Sequence, residues 1–244
     1  MQGFGKSDVG KVRTNNEDAI FVDNGGPAPL ANLYVLADGM GGHNAGEIAS
    51  LRAVSAFCDY FEQHQDFVYK EQYLADALQY ANGRVHNDAR KYPEFSGMGT
   101  TLSAITTDSD NLYYAHVGDS RIYLVKEDGE LTQITTDHIS VTAELLAQGL
   151  ITENEAKKYP ETVLSRAIGT DVDVKIDVGS VTVEGIKYAL LCSDGLHNMI
   201  TDEEISAIIN SEKDLETITE KLIAAANNAG GDDNISVIMI GWGD

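Results

Sequence analysis

The chain has 244 residues, 43% of them hydrophobic, which is enough to bury a full core, and periodic structure from end to end predicts one large domain over 1–244. Seventeen basic residues against 39 acidic ones give a formal charge of −22, which excludes a nucleic-acid backbone as the preferred partner. No stretch is apolar for long enough to span a bilayer, and the first six residues lack the hydrophobic core of a secretory signal, so no membrane partner and a cytoplasmic location are expected.

Gly5-Lys6-Ser7 imitates the end of a phosphate-binding P-loop, but too little chain precedes it to supply the strand and first glycine, and an opening strand is the better reading. Ala19 to Val22 and Leu33 to Ala37 are β-rich runs around a Gly25-Gly26-Pro27 turn region and read as neighbouring strands. Asn44 fits a helix cap with Glu47 three residues on, and Ile48, Leu51, Val54, Phe57 and Phe61 then recur at helical spacing. A second helix carries Leu74, Ala77, Leu78, Ala81 and Val85 on one face. From Gly99 the pattern turns to strands at Thr100 to Thr106, Leu112 to Val117, Ile122 to Val125 and Leu131 to Ile134, read as an antiparallel meander. A helical insertion from Val141 to Lys158 precedes strands at Val174 to Val183 and Tyr188 to Cys192. Helices built on Ile205, Ile208 and Ile209, and on Leu215, Ile218 and Leu222, lead to a last strand, Ile235 to Ile240. Helix pairs placed between runs of strands predict an α+β fold, a four-layer α-β-β-α sandwich of two mostly antiparallel sheets packed face to face and flanked by helix pairs.

Short acidic islands punctuate this pattern: Glu17-Asp18, Asp38-Gly39, Asp194-Gly195 and Asp232-Asp233-Asn234. Each adjoins an apolar run, so each carboxylate is expected where a buried strand meets a loop. Carboxylates gathered at one sheet edge repel one another unless a cation neutralises them, which points to a divalent metal centre. A lone Asp-Gly pair reads equally as a turn. Cys58 and Cys192 read as reduced, buried thiols, and the arginine that a thiol-based phosphatase needs six positions on is replaced by His64 and Asn198. Asp171-Val172-Asp173 resembles a nucleophile motif or the start of a calcium loop, but no buried strand precedes it and Ile176 stands where a calcium loop needs glycine.

Taken in order, Arg13 with Glu17-Asp18, Asp38-Gly39-Met40-Gly41-Gly42-His43, Met98-Gly99-Thr100-Thr101, Val117-Gly118-Asp119-Ser120-Arg121, Ser193-Asp194-Gly195 and Asp233-Asn234 resemble the bacterial branch of the PP2C-type (PPM family) metal-dependent serine/threonine protein phosphatases. The resemblance covers essentially the whole chain. It implies hydrolysis of phosphoserine and phosphothreonine by a water activated at a binuclear Mn²⁺ or Mg²⁺ centre, two ions roughly 3.5 to 4 Å apart, with no covalent intermediate. Carried over, Asp38 bridges both ions, the Gly39 carbonyl completes one shell, and Asp194 and Asp233 hold the other ion. Glu17 and Asp18 act through coordinated waters, Asp18 the closer. Arg13 grips the substrate phosphate, its alternative being a salt bridge to a nearby acid. Asp119 with Asp194 resembles the ligands of a third, weaker metal, the alternative being a pairing with Arg121 or a turn cap.

Some relatives carry a histidine directly after the Asp-Gly pair as general acid, where this chain has Met40, and neither His43 nor His138 is assigned that role. The segment from about 139 to 160 matches the position of the family's flap, a small hairpin serving either as cover or as a substrate selector. Implied partners are phosphoserine and phosphothreonine proteins and a cognate serine/threonine kinase, with the protein itself expected to be a monomer. Two other readings stand beside this one: a catalytically silent phosphoprotein-binding module, and a phosphatase of small phosphorylated metabolites.

Overall fold

The computed structural model describes residues 1–26, 30–41, 45–64, 69–139, 145–146, 151–156 and 164–242. In chain order the elements are β1 (Gln2–Asp8), β2 (Asp18–Asp23), β3 (Leu33–Met40), α1 (Ala45–Gln63), α2 (Lys70–Lys91), a 3-10 turn (Pro93–Phe95), β4 (Gly99–Thr100), β5 (Leu102–Thr107), β6 (Asn111–Val117), β7 (Arg121–Lys126), β8 (Leu131–Gln133), α3 (Glu153–Ala156), β9 (Asp177–Thr182), β10 (Ile186–Cys192), α4 (Asp194–His197), α5 (Asp202–Ser211), α6 (Leu215–Ala229) and β11 (Ile235–Gly241). They build two sheets, one of order β1-β11-β10-β7-β8 and one of order β2-β3-β5-β6-β9 with β4 beside β3. The pairings in both are antiparallel. The predicted α+β sandwich of two sheets and flanking helices is the fold observed.

Alternation along each central strand explains the layers. In β3, Leu33, Val35 and Ala37 face α1 and α2, while Tyr34 and Leu36 face the other sheet. In β11, Val237 and Met239 pack under α5 and α6, while Ile238 and Ile240 meet Tyr34 and Leu36 across the sheet interface. Strands buried on both faces read as continuous apolar runs, and the run from Ile235 to Ile240 is of that kind.

Two expectations need correction. The strands from 99 to 134 do not form one meander: β5 and β6 belong to the second sheet, β7 and β8 to the first. The switch occurs over Gly118, Asp119 and Ser120, where Gly118 has φ of 117° and packs on Thr101, a backbone state that disfavours any side chain. A register of apolar residues cannot distinguish a hairpin from a strand that changes sheets. On α1, Leu51 points outward at 52% exposure; the inner face is built instead from Ala49, Ala53, Ala56 and Phe57, small residues that let the helix lie close to β3. Asn44, the expected cap, and most of the insertion predicted from 139 to 160 lie outside the described residues.

Ile238 is fully buried between the sheets. Ile238→Ala is expected to lower unfolding free energy by about 2–5 kcal/mol, read from urea denaturation as a lower midpoint with an unchanged slope.

Candidate active site

Strand ends from both sheets meet at one edge of the sandwich. The β2–β3 register places Asp18 directly opposite Asp38, so neighbouring strands of one sheet carry adjacent carboxylates. Asp119 lies on the sheet switch after β6, Asp194 opens α4 directly after β10, and Asp233 precedes β11, which pairs with β10. A cavity of about 620 Å³ is lined by Arg13, Glu17, Asp38, Gly39, Asp119, Asp194 and Asp233. Asp18 is buried behind that lining. Every site residue predicted from the sequence therefore comes to one place.

The electrostatics record the crowding. Burial first, then the charges of Asp18, Asp194, Asp119 and Asp233, hold the Asp38 carboxyl far above the ordinary aspartate range. Asp194 is raised by burial and by Asp233, partly offset by a hydrogen bond with Asp38. Asp18 is raised by burial against the opposing effect of hydroxyl donors. Asp119 is pushed up to about 7 by burial and by Asp194. Glu17 is raised by burial while Arg13 pulls the other way. Asp119 does not use Arg121 as an ion-pair partner: the guanidinium grips Asp137 through Nε and Nη2 at 2.8–3.1 Å and donates to Tyr123.

Polar side chains that the sequence reading passed over hold the carboxylates in place. Ser193 Oγ donates to Asp18 Oδ2 at 2.8 Å and accepts from the Ser236 N–H at 2.9 Å, tying β10 and β11 to β2. Asn234 Oδ1 accepts from the Glu17 N–H at 2.8 Å, and its amide donates to the Val9 and Asn15 carbonyls, so one side chain anchors the loop that carries Arg13. Thr101 Oγ1 accepts from the Asp38 N–H at 2.9 Å. Asn234 and Ser193 lie inside the islands already marked; their adjacency to aspartates was the available signal.

Arg13 donates from Nη2 to Asp233 Oδ2 at 2.7 Å, a pair with side chains 51% and 36% exposed. Gly39 is pressed between strand and helix: a Cβ there would run into the Gly46 carbonyl of α1 and the Glu17 carbonyl. His43 lies outside the described residues, and no histidine is among the described residues lining the cavity.

The donor set fits a divalent cation. It consists of carboxylate and carbonyl oxygens, the ligands of hard Mg²⁺ or Mn²⁺. Asp18 Oδ1 is buried with no hydrogen-bond partner among the described residues, a condition that costs roughly 1–3 kcal/mol if nothing else meets the oxygen. Among those residues no three His, Cys, Asp or Glu side chains already stand as a ligand set. The Ser193 hydroxyl meets Asp18 and the Arg13 guanidinium meets Asp233 instead.

The family model described as protein phosphatase 2C matches residues 9–236. The chain belongs to the protein phosphatase 2C family. Among its relatives in this family of protein phosphatases, the chain is 39% identical over 239 residues to protein phosphatase PhpP of Streptococcus pneumoniae, covering 96% of this chain and 94% of that one. The crystal structure of serine/threonine phosphatase Stp1 from Staphylococcus aureus is similar with a TM-score of 0.87 and 30% identity, over 99% of this chain and 95% of that one. The catalytic domain of PstP, solved in complex with two manganese ions, is similar with a TM-score of 0.77 and 34% identity, over 98% and 96%.

A folded-state pKa of about 7 at Asp119 has a definite sign in stability. Between about pH 4 and 7 the cation-free fold binds a proton that the unfolded chain has released, so stability is complete below the unfolded value and is lost as pH rises through the folded one. With chelator present, the thermal midpoint is expected to fall from about pH 5 to about pH 8, and to fall less in Asp119→Asn. Equal slopes for the two proteins would assign the effect elsewhere.

Proposed function

We propose that the protein hydrolyses phosphoserine and phosphothreonine in other proteins at a centre of Mn²⁺ or Mg²⁺ ions. The observation that carries this reading is the gathering of Asp38, Asp119, Asp194 and Asp233 around one cavity with Arg13 at its edge. In this reading the Asp38 carboxylate and the Gly39 carbonyl would be ligands of the two-ion centre. Asp194 and Asp233 would hold that centre as well, Asp18 and Glu17 would act through water, and Asp119 with Asp194 would hold a third, weaker ion. The chemistry such ions supply is Lewis-acid charge for the phosphoryl oxygens and a more acidic attacking water, with no covalent intermediate.

The chain's own groups do the rest. Burial of the aspartates keeps the cavity intolerant of their charge until a cation balances it. The exposed Arg13–Asp233 pair contributes about 0–1 kcal/mol, so Arg13 leaves Asp233 easily and offers its guanidinium to a phosphate as a two-pronged donor. Asn234 limits how far that arginine can travel by fixing the loop from Val9 to Glu17. Met40 lines the cavity where a general acid stands in some relatives, so this chain takes the leaving-group proton from another source than that position.

Targets are phosphoproteins made by a serine/threonine kinase, the kinase itself included, in the cytoplasm and with the phosphatase as a monomer. A negative chain of this size would repel acidic surfaces, which puts the work of substrate capture on the cavity rather than on a general attraction. Alanine in place of Asp38 or Asp194 should reduce Mn²⁺-dependent hydrolysis of a phosphothreonine peptide by about a hundredfold or more, and chelator should abolish it. Activity indifferent to both would refute the metal mechanism, and faster turnover of sugar phosphates than of the peptide would favour a metabolite phosphatase. Arg13→Ala is expected to raise KM about tenfold without weakening Mn²⁺ binding, because Asp233 loses a competitor rather than a ligand partner.

A further inference from the structure

His138 is buried at 5% exposure, and the reaction described above gives it nothing to do. Its bonds run to both sides of the acidic edge. The His138 N–H donates to the Gly118 carbonyl at 2.7 Å, and the Gly118 N–H donates back to His138 Nδ1 at 3.0 Å. A peptide N–H can only donate, so Nδ1 presents its lone pair and the ring proton resides on Nε2. Nε2 then donates to Asp177 Oδ2 at 3.0 Å, while Arg166 Nη1 donates to Asp177 Oδ1 at 2.8 Å. The 3.0 Å approach of Arg166 Nη1 to Nε2 is a convergence of two donors on one carboxylate. Burial, the largest influence on the ring, favours its neutral form, in keeping with that proton count.

The same residue joins the two ends of the predicted flap. Its carbonyl accepts from the Ser165 N–H at 2.8 Å, and Ile139 bridges Leu164 directly beyond. Gly118 immediately precedes Asp119, whose own carbonyl accepts from His197 Nε2 at 3.1 Å. The peptide on which the Asp119 carboxylate is mounted is thus fastened through Gly118 to His138 on one side and to His197 on the other. Gly118 has φ of 117° and Thr101 stands where a Cβ would be, so a side chain at this position would disturb those bonds.

We infer that His138 is a positioning residue: through Gly118 it sets the Asp119 carboxylate for the weaker cation, with Asp177 and Arg166 orienting its ring, so that flap neck and acidic turn are registered together. The inference rests on the role proposed for Asp119.

The test is Mn²⁺ titration of the full chain by calorimetry and by the paramagnetic resonance signal of free Mn²⁺. The proteins are the wild type, Asp119→Ala, His138→Gln, His138→Asn and Asp177→Asn. Asparagine places an acceptor near Nδ1 and keeps the Gly118 bond; glutamine reaches toward Asp177 and gives that bond up. Residues that orient a ligand change metal affinity by about 10–100-fold when lost, so His138→Gln should weaken the weakest site about tenfold while the tighter sites and His138→Asn stay near wild type. Asp177→Asn should weaken the same site by a smaller factor. Unchanged weak binding in His138→Gln, equal weakening of all sites, or equal loss in His138→Asn would overturn the inference. If circular dichroism finds His138→Gln unfolded, unchanged weak binding in Asp177→Asn overturns it. Loss in Asp119→Ala without loss in His138→Gln refutes the positioning role alone, whereas no loss in Asp119→Ala refutes the role of Asp119 beneath it.

Discussion

Like charges held together out of water govern the catalytic end of this molecule. Asp18 and Asp38 face each other across adjacent strands, and Asp194, Asp119 and Asp233 close in from the other strand ends. Neither burial nor mutual repulsion favours their ionised forms, and in the cation-free protein a hydroxyl donor meets Asp18 and the Arg13 guanidinium meets Asp233. In the proposed reading a divalent cation would take their place. The crowding of negative charge is therefore a property of where the backbone puts the carboxylates.

Holding them there is the work of the two sheets. Apolar packing between Tyr34, Leu36, Ile238 and Ile240 aligns β3 and β11, and so brings Asp38 and Asp233 to the same edge. Polar bonds then cross from sheet to sheet at that edge: Ser193 to Asp18, and Asn234 to Glu17. The first contribution is non-directional and large; the second is directional and small, and it decides which way each oxygen points.

Much of this was legible in the chain. The islands around Asp38, Asp194 and Asp233 stood at the ends of apolar runs, and alternation along β3 and β11 was visible as unbroken hydrophobic stretches. Other features were hidden for physical reasons. Leu51 had the right spacing for the core, but small alanines set the helix close to the sheet and turned it outward. The passage from β6 to β7 between sheets left no mark on periodicity, since both strands are buried whichever sheet they join. Arg121 was a plausible partner for Asp119, yet a two-pronged fit to Asp137 took it. Asn234 and Ser193 work through backbone groups far away in sequence, contacts that no local pattern encodes.

The placement of β11 has a consequence for how the acidic edge comes into being. It lies between β1 and β10, with Ile240 opposite Gly3 on one side and Ala189 on the other. A ribosome delivers β1 and β10 before β11, so the first sheet stays split until β11 inserts between them. Pairings that span nearly the whole sequence form late and slowly. Until β11 inserts, Asp18 and Asp38 can pair on β2 and β3, but Asp233, which directly precedes β11, is not held at their edge. The acidic edge is thus completed only when β11 takes its place.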